Sequence, residues 1–377
     1  MAGNKKPFDQ INDVSTIKTL LREAIPVTGS LVSGTYAEPN GAGVTSNIKE
    51  YAHQMFQSTF DYPYASSSAN HLFDITAGYS TNSALDGATD EVSGSKKNNI
   101  YNEMAQFLVG FDQTGSIERF DKDGDLTGGE KIDEIFVLNL SRLLVKDGIQ
   151  KGTFDLEMGV SGNIGFGVPM TTRIKIQDLD SSGSFKVNSP KGEYGILYAN
   201  NSEGSPIDSP THGAASNLKT LPVGLIYYQA GVAIISASTF MATSAGIMSR
   251  SVFWTSGAAD GGRDVTAALT ASSLDAMATG FRYRMHNLSF NNTTILNSAM
   301  YTCRIASRDF NYSSNPTYLT GSEIRVKAND PTNNPKSFIT TVGLYNAQDQ
   351  LLAVSKLSKP IEKSPAEDLL IKVRLDY

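Results

Sequence analysis

Apolar residues recur at helical spacing in three segments of the first 110 residues. Ile17, Leu20, Leu21 and Ile25 share one face over 15–25, Ser15 can cap that segment and Pro26 stops it, which predicts a helix. Residues 47–60 predict a second helix. Residues 97–109 predict a third, with Ile100, Met104, Phe107 and Leu108 as its stripe. A Gly, Ser and Thr loop runs to about residue 46, and 61–96, rich in Tyr, Ser, Asn and Gly, carry no clean period.

The pattern changes near residue 130. Glu134 to Val145 is β-branched and aromatic enough for a strand, and Thr153 to Val160 alternates, with Phe154, Leu156, Met158 and Val160 on one face. Further strands are predicted at 171–177, 183–187, 193–199 and 223–237, with a long polar loop at 200–217. One helix near 264–282 interrupts them. Asp264 is placed to cap it, and Val265, Leu269, Met277 and Phe281 line one side. Residues 338–345 and 351–357 flank Asn346-Ala347-Gln348-Asp349 as a hairpin. The chain ends on an alternating run in which Leu369, Ile371, Val373, Leu375 and Tyr377 share a face.

These elements predict an α+β chain, mainly antiparallel β: a helix-rich N-terminal third followed by a β-rich body with one interrupting helix. The expected regions are 1–130, helix- and loop-rich; 131–305, the β-rich body; and 306–377, the C-terminal hairpin and terminal strand. No internal repeat of 20–50 residues is visible. The 377 residues suffice for a large core without staples, and 33 glycines among many Ser, Thr and Asn suit turns and short strands.

Charge narrows the partners. Lys and Arg number 32 against 38 Asp and Glu, a net −6, and the pI is near 5.3. There is no basic stripe, so sequence-specific nucleic-acid binding is not expected. Cys303 is the sole cysteine, which excludes an intrachain disulfide and a zinc site built on several cysteines. It reads as a small buried residue. The first residues carry two lysines but no apolar core, so no secretory signal is expected. Leu221 to Ala242 is the longest apolar stretch. It holds Pro222, Gln229, Gly231 and several hydroxyls, and reads as a buried hairpin turning near 229–231 rather than a membrane span.

The most motif-like stretch is Asp121-Lys122-Asp123-Gly124-Asp125-Leu126-Thr127-Gly128-Gly129-Glu130. Its three alternate aspartates resemble the start of a calcium loop. Leu126 stands where such a loop turns on glycine, and Ile132 at the twelfth position cannot coordinate, so this is not a complete EF-hand. Two readings stay open: a looser Ca2+ site on Asp121, Asp123 and Asp125, or a solvated acidic turn. No other cofactor is expected. His53, His71, His212 and His286 form no HExxH, there is no GxSxG elbow, and Gly162–Gly167 lacks the spacing of a phosphate loop. Phe60-Asp61-Tyr62-Pro63-Tyr64 reads as a packed aromatic corner before a contact patch.

The last quarter carries longer words: Asp309-Phe310-Asn311-Tyr312-Ser313-Ser314-Asn315-Pro316-Thr317-Tyr318, Ile339-Thr340-Thr341-Val342-Gly343-Leu344-Tyr345, Leu351 to Ile361, and Val373-Arg374-Leu375-Asp376-Tyr377. Together they resemble a family of virion structural proteins from tailed bacteriophages, especially contractile-tailed phages of aquatic bacteria. The resemblance is strongest over 306–377, and looser over Ile135–Phe154 and Val223–Ile235. It implies a non-enzymatic particle component of the tail, baseplate or neck, assembled in the host cytoplasm and contacting copies of itself and other particle proteins, with no membrane partner. It carries over no catalytic residue. Tyr345, Leu351, Leu352, Val373, Leu375 and Tyr377 are the residues expected either to join subunits or to complete the core sheet. Two other functions remain on this reading: a receptor- or glycan-binding tail appendage, and a tail-associated hydrolase.

Overall fold

Backbone pairing, rather than helical burial, organises the chain in the computed structural model. The structure describes residues 6–28, 47–87, 91–159, 173–178, 185–201, 207–208, 213–214, 222–240, 269–270, 273–313, 315–321, 323–324 and 336–377. In chain order the elements are β1 (Val14–Thr28), β2 (Ile48–Glu50), β3 (Gln57–Phe60), β4 (His71–Tyr79), α1 (Glu91–Leu108), β5 (Glu134–Leu140), α2 (Arg142–Val145), β6 (Gly148–Ile149), β7 (Asp155–Gly159), β8 (Arg173–Gln177), β9 (Lys186–Ser189) and β10 (Gly192–Asn201). There follow β11 (Ile207–Asp208), β12 (Gly213–Ala214), β13 (Pro222–Tyr227), β14 (Val232–Ser236), α3 (Leu274–Arg284), β15 (Met285–Ile305), β16 (Leu319–Thr320), β17 (Glu323–Ile324), β18 (Ser337–Tyr345), β19 (Leu351–Lys363) and β20 (Leu369–Asp376).

The helix-rich N-terminal third is therefore overturned, and the fold is mostly antiparallel β rather than α+β. Residues 15–25 belong to β1, and 47–60 form β2, a turn and β3. In β1 most of the supposed stripe has no core to face: Ile17, Leu20 and Leu21 are each about half exposed, and only Ile25 packs against the core. With no buried side to reward a helix, pairing beside β15 and the β-branched residues Val14, Thr16, Ile17, Thr19 and Val27 prevail. In β3 the inward residues are polar. Gln57, Ser58 and Thr59 are all buried, which hides a strand from any apolar count. The helix over 97–109 forms within α1, but Phe107 of its stripe faces solvent, and Lys97, Tyr101 and Ala105 join Ile100 and Leu108 inside. The interrupting helix starts at Leu274 on Ser273, whose side chain accepts the Ala276 N–H at 3.2 Å. The expected cap Asp264, Val265, the Gly162–Gly167 run and most of 200–217 lie outside the described residues.

Two compact units emerge, residues 21–294 and residues 1–20 with 295–377; the chain passes between them within β1 and β15. In the larger unit the sheet runs β15-β7-β8-β10-β13-β14-β5-β4-β3-β2. Its middle strands are buried on both faces. Along β5, Phe136, Leu138 and Leu140 enter one core with Phe281 of α3, whose ring stacks on Phe136 at 5.0 Å. Ile135 and Val137 enter a second core with Tyr101, Ala105 and Leu108 of α1. Each fully buried aromatic or aliphatic side chain is worth roughly 1.5–3 kcal/mol of transfer free energy. Gly78 on β4 lets α1 approach: a Cβ there would lie 2.6 Å from the Lys97 carbonyl oxygen. β13 and β14 form the expected hairpin, turning over Tyr228–Gly231.

In the smaller unit β20 pairs antiparallel with β15, from Ser298 opposite Asp376 to Ile305 opposite Leu369. Among the described residues β18 and β19 pair only with each other, and so do β16 and β17. The β18–β19 hairpin bulges opposite Ile339–Thr341 and closes at Tyr345 opposite Leu351.

Candidate functional site

The acidic loop lies in the larger unit, on the connection from α1 to β5. Phe120 and Ile132 form its base. The Ile132 N–H donates to the Phe120 carbonyl at 2.9 Å, Lys122 N–H donates to the Glu130 carbonyl at 3.2 Å, and Asp121 bridges Lys131. Both apolar residues are buried in the α1 core, where Tyr101 donates its hydroxyl to the Ile132 carbonyl at 2.8 Å and meets the Phe120 ring edge-on. Ile132, the non-coordinating twelfth position, is thus a core residue. Loop residues 123–129 stand on that base.

Asp121, Asp123 and Asp125 converge, with one carboxylate oxygen from each lying within 4.8 Å of the others. Asp121 is 1% exposed, while Asp123 and Asp125 face solvent. Backbone amides fix the carboxylates: Leu126 N–H donates to Asp121 Oδ2 at 2.8 Å, Thr127 N–H to Asp125 Oδ1 at 2.8 Å, and Asp125 N–H to Asp123 Oδ1 at 3.2 Å. Burial, then the neighbouring Asp123, pushes the Asp121 carboxyl up, whereas the amide of Asp125 holds Asp123 down. Leu126 adopts φ +64, the left-handed turn for which glycine was expected. Glu130 turns away to pair with Lys122 at 2.7 Å. Asn188 and Tyr194 donate to the Gly124 carbonyl at 3.0 and 3.2 Å, fastening the loop to β9 and β10.

The residues expected to join subunits divide by exposure. Tyr345 and Leu351 oppose each other at the turn end of the hairpin, folded over Gly343, and with Leu352 they are 48%, 52% and 67% exposed. Tyr377 is 73% exposed, though its backbone exchanges two hydrogen bonds with Asn297. Val373 is buried opposite Tyr301 and Leu375 is half-buried opposite Ala299, so those two complete the sheet. Sequence reasoning missed Ile17 and Leu20 as exposed strand residues because it spent them on a helix stripe.

A serine, a histidine and an aspartate also meet. Asp74 accepts from His71 Nε2 at 2.7 Å and from the Ser58 hydroxyl at 2.5 Å. Both bonds end on Asp74 Oδ1, so the aspartate holds the serine and the histidine together, rather than the histidine standing between the other two as in a nucleophile–base–carboxylate relay. Cys303, half-buried on β15, has its thiol pushed up by burial and by Asp13. Among the described residues no helix is long and apolar enough to cross a membrane.

No protein-family model matches the chain, and no curated protein or solved structure is significantly similar to it. The phage resemblance of residues 306–377 therefore rests on the sequence words alone.

Proposed function

We propose that the protein is a non-enzymatic structural component of a tailed phage particle, in the tail, baseplate or neck, and that copies of it join through the unit formed by residues 1–20 and 295–377. The supporting observation is an inverted apolar inventory in that unit. Among the described residues it buries only Ala299, Tyr318, Leu344, Ile371 and Val373 as apolar side chains. It holds fourteen of the twenty-one exposed large apolar side chains, among them Leu352, Tyr345, Val354 and Leu370. Isolated monomers rarely leave such surface in water, and a two-stranded hairpin is marginal without a partner surface. β1 adds a long strand that is exposed along most of its length and stands at the end of the sheet order, a ready template for strand addition.

Light scattering behind a sizing column tests the self-association. The wild-type chain is expected as a discrete species larger than its 40.5 kDa monomer. Leu352→Asp, an exposed change, is expected to shift it to monomer with an unaltered circular dichroism spectrum. A wild-type monomer at every concentration, or an L352D chain that assembles like wild type, overturns the interface. Peptide mass spectrometry of purified virions of the encoding phage tests particle membership, and absence of its peptides overturns that part.

A further inference from the structure

We propose that the loop 121–129 is a Ca2+ site in which Asp121, Asp123 and Asp125 each supply a carboxylate oxygen. Calcium takes oxygens at about 2.3–2.6 Å, so two oxygens on one ion are at most about 5 Å apart. The three aspartate oxygens, mutually within 4.8 Å, meet that limit. Magnesium, at about 2.0–2.1 Å, needs a tighter set and gives up its waters reluctantly.

The second observation is Asp121 itself. The residue is 1% exposed and its Oδ2 is satisfied by Leu126, but its buried Oδ1 has no hydrogen bond. A bare carboxylate oxygen inside a protein is costly, and a cation is the usual remedy. The nearest cation is Lys131 Nζ, 3.7 Å away and beyond hydrogen-bond reach. That ammonium is also 3.5 Å from Glu118 and has no hydrogen-bond partner of its own. Lys131 thus softens the charge without ligating the oxygen. The oxygen shares its surroundings with the Asp123 carboxylate: a Cβ on Gly129 would lie 3.5 Å from both Asp121 Oδ1 and Asp123 Oδ2. The two oxygens therefore flank one point, which glycine keeps clear of a side chain.

The donor set also sets the affinity class. Glu130 is engaged by Lys122 and Ile132 is in the core, so the loop lacks the bidentate glutamate of a sensor site. Affinity is expected in the weak range of extracellular modules, with Kd of about 10⁻⁴–10⁻³ M. Binding would lock the loop onto β9 and β10, through the Asn188 and Tyr194 bonds to Gly124.

Tyr194 supplies the readout. Its phenol touches the loop, so it can pass excitation to Tb3+ held there. The full-length chain is titrated with TbCl3, then back-titrated with CaCl2 and with MgCl2, and melted in CaCl2 against EDTA. Saturable emission displaced by Ca2+ at least tenfold more readily than by Mg2+, with a higher melting temperature in Ca2+, is the expected result. Asp123→Asn, an exposed change, should weaken Tb3+ binding at least tenfold and abolish the melting shift. Tyr194→Phe should dim the emission excited through tyrosine. The proposal is overturned if Ca2+ up to about ten times the weaker limit of that range leaves emission and melting unchanged, or if D123N binds like wild type.

Discussion

Lys97 is a lysine on the inner face of α1, 1% exposed, and its ammonium donates to the Leu269 carbonyl. Burial pulls its pKa down to about 8. The unfolded chain then holds this proton up to about pH 10.4, whereas the folded chain releases it earlier. Stability therefore rises with pH across that interval, because the unfolded state binds more protons there. The cost of the buried charge is fully present below pH 8. Between about pH 7.5 and 9 the rise is about 1 kcal/mol. Above about pH 10 the trend reverses, because burial pushes the phenols of Tyr101, Tyr194 and Tyr227 up, and they ionise only on unfolding. Urea titrations at the two lower pH values should show this rise in the wild-type chain and a flat response in Lys97→Met. An equal rise in K97M would place its source elsewhere.

At the scale of elements, the close approach of α1 to β4 depends on a missing side chain. The contact a Cβ on Gly78 would make is with backbone, not with a flexible tip that can yield. Gly78→Ala is expected to cost about 1–3 kcal/mol by overpacking, read as a lower urea midpoint at unchanged slope. The same scale explains what the sequence disclosed. Alternation over 153–159, the hairpin after 338 and the final run of alternate residues were all legible, since one face of each strand differs from the other. β1 was not legible, because it is exposed on both sides over residues 15–24 and its apolar residues fall at helical spacing without a helix. β3 was not legible because Gln57 is buried by bonding to Thr279 and Glu50 rather than by being apolar. The acidic loop was half legible. The aspartates announced it, but Leu126 hid the turn by taking a left-handed conformation that few leucines take.

At the scale of the molecule, no local pattern reports that residues 1–20 belong with 295–377. That grouping rests on contacts distant in sequence: Thr302 N–H on the Asp13 carbonyl at 2.8 Å, Arg304 on Asp13 at 2.6 Å, and the Phe8 ring on Tyr301 at 5.4 Å. Within this unit polar ties do much of the holding. Buried Lys363 donates to the Ser307 and Ser364 carbonyls and to Asn311 Oδ1, joining the foot of β19 to the loop after β15. Exposed ion pairs such as Arg374 with Asp376 add little. A unit with so few buried apolar side chains should open more readily than the large sheet, whose middle strands are buried on both faces. If copies cover its exposed strands, opening must also release that association, so mass action raises its protection with concentration. Hydrogen exchange read at a low and a high protein concentration should show slower exchange in β18, β19 and β20 at the higher one, with β4, β5 and β14 unchanged. Concentration-independent exchange in the C-terminal strands would mean that the exposed apolar face is not covered by a second copy. On the particle role proposed above, the face would then be completed by a different protein, and mixing experiments with candidate neighbours would replace self-association as the route to the interface.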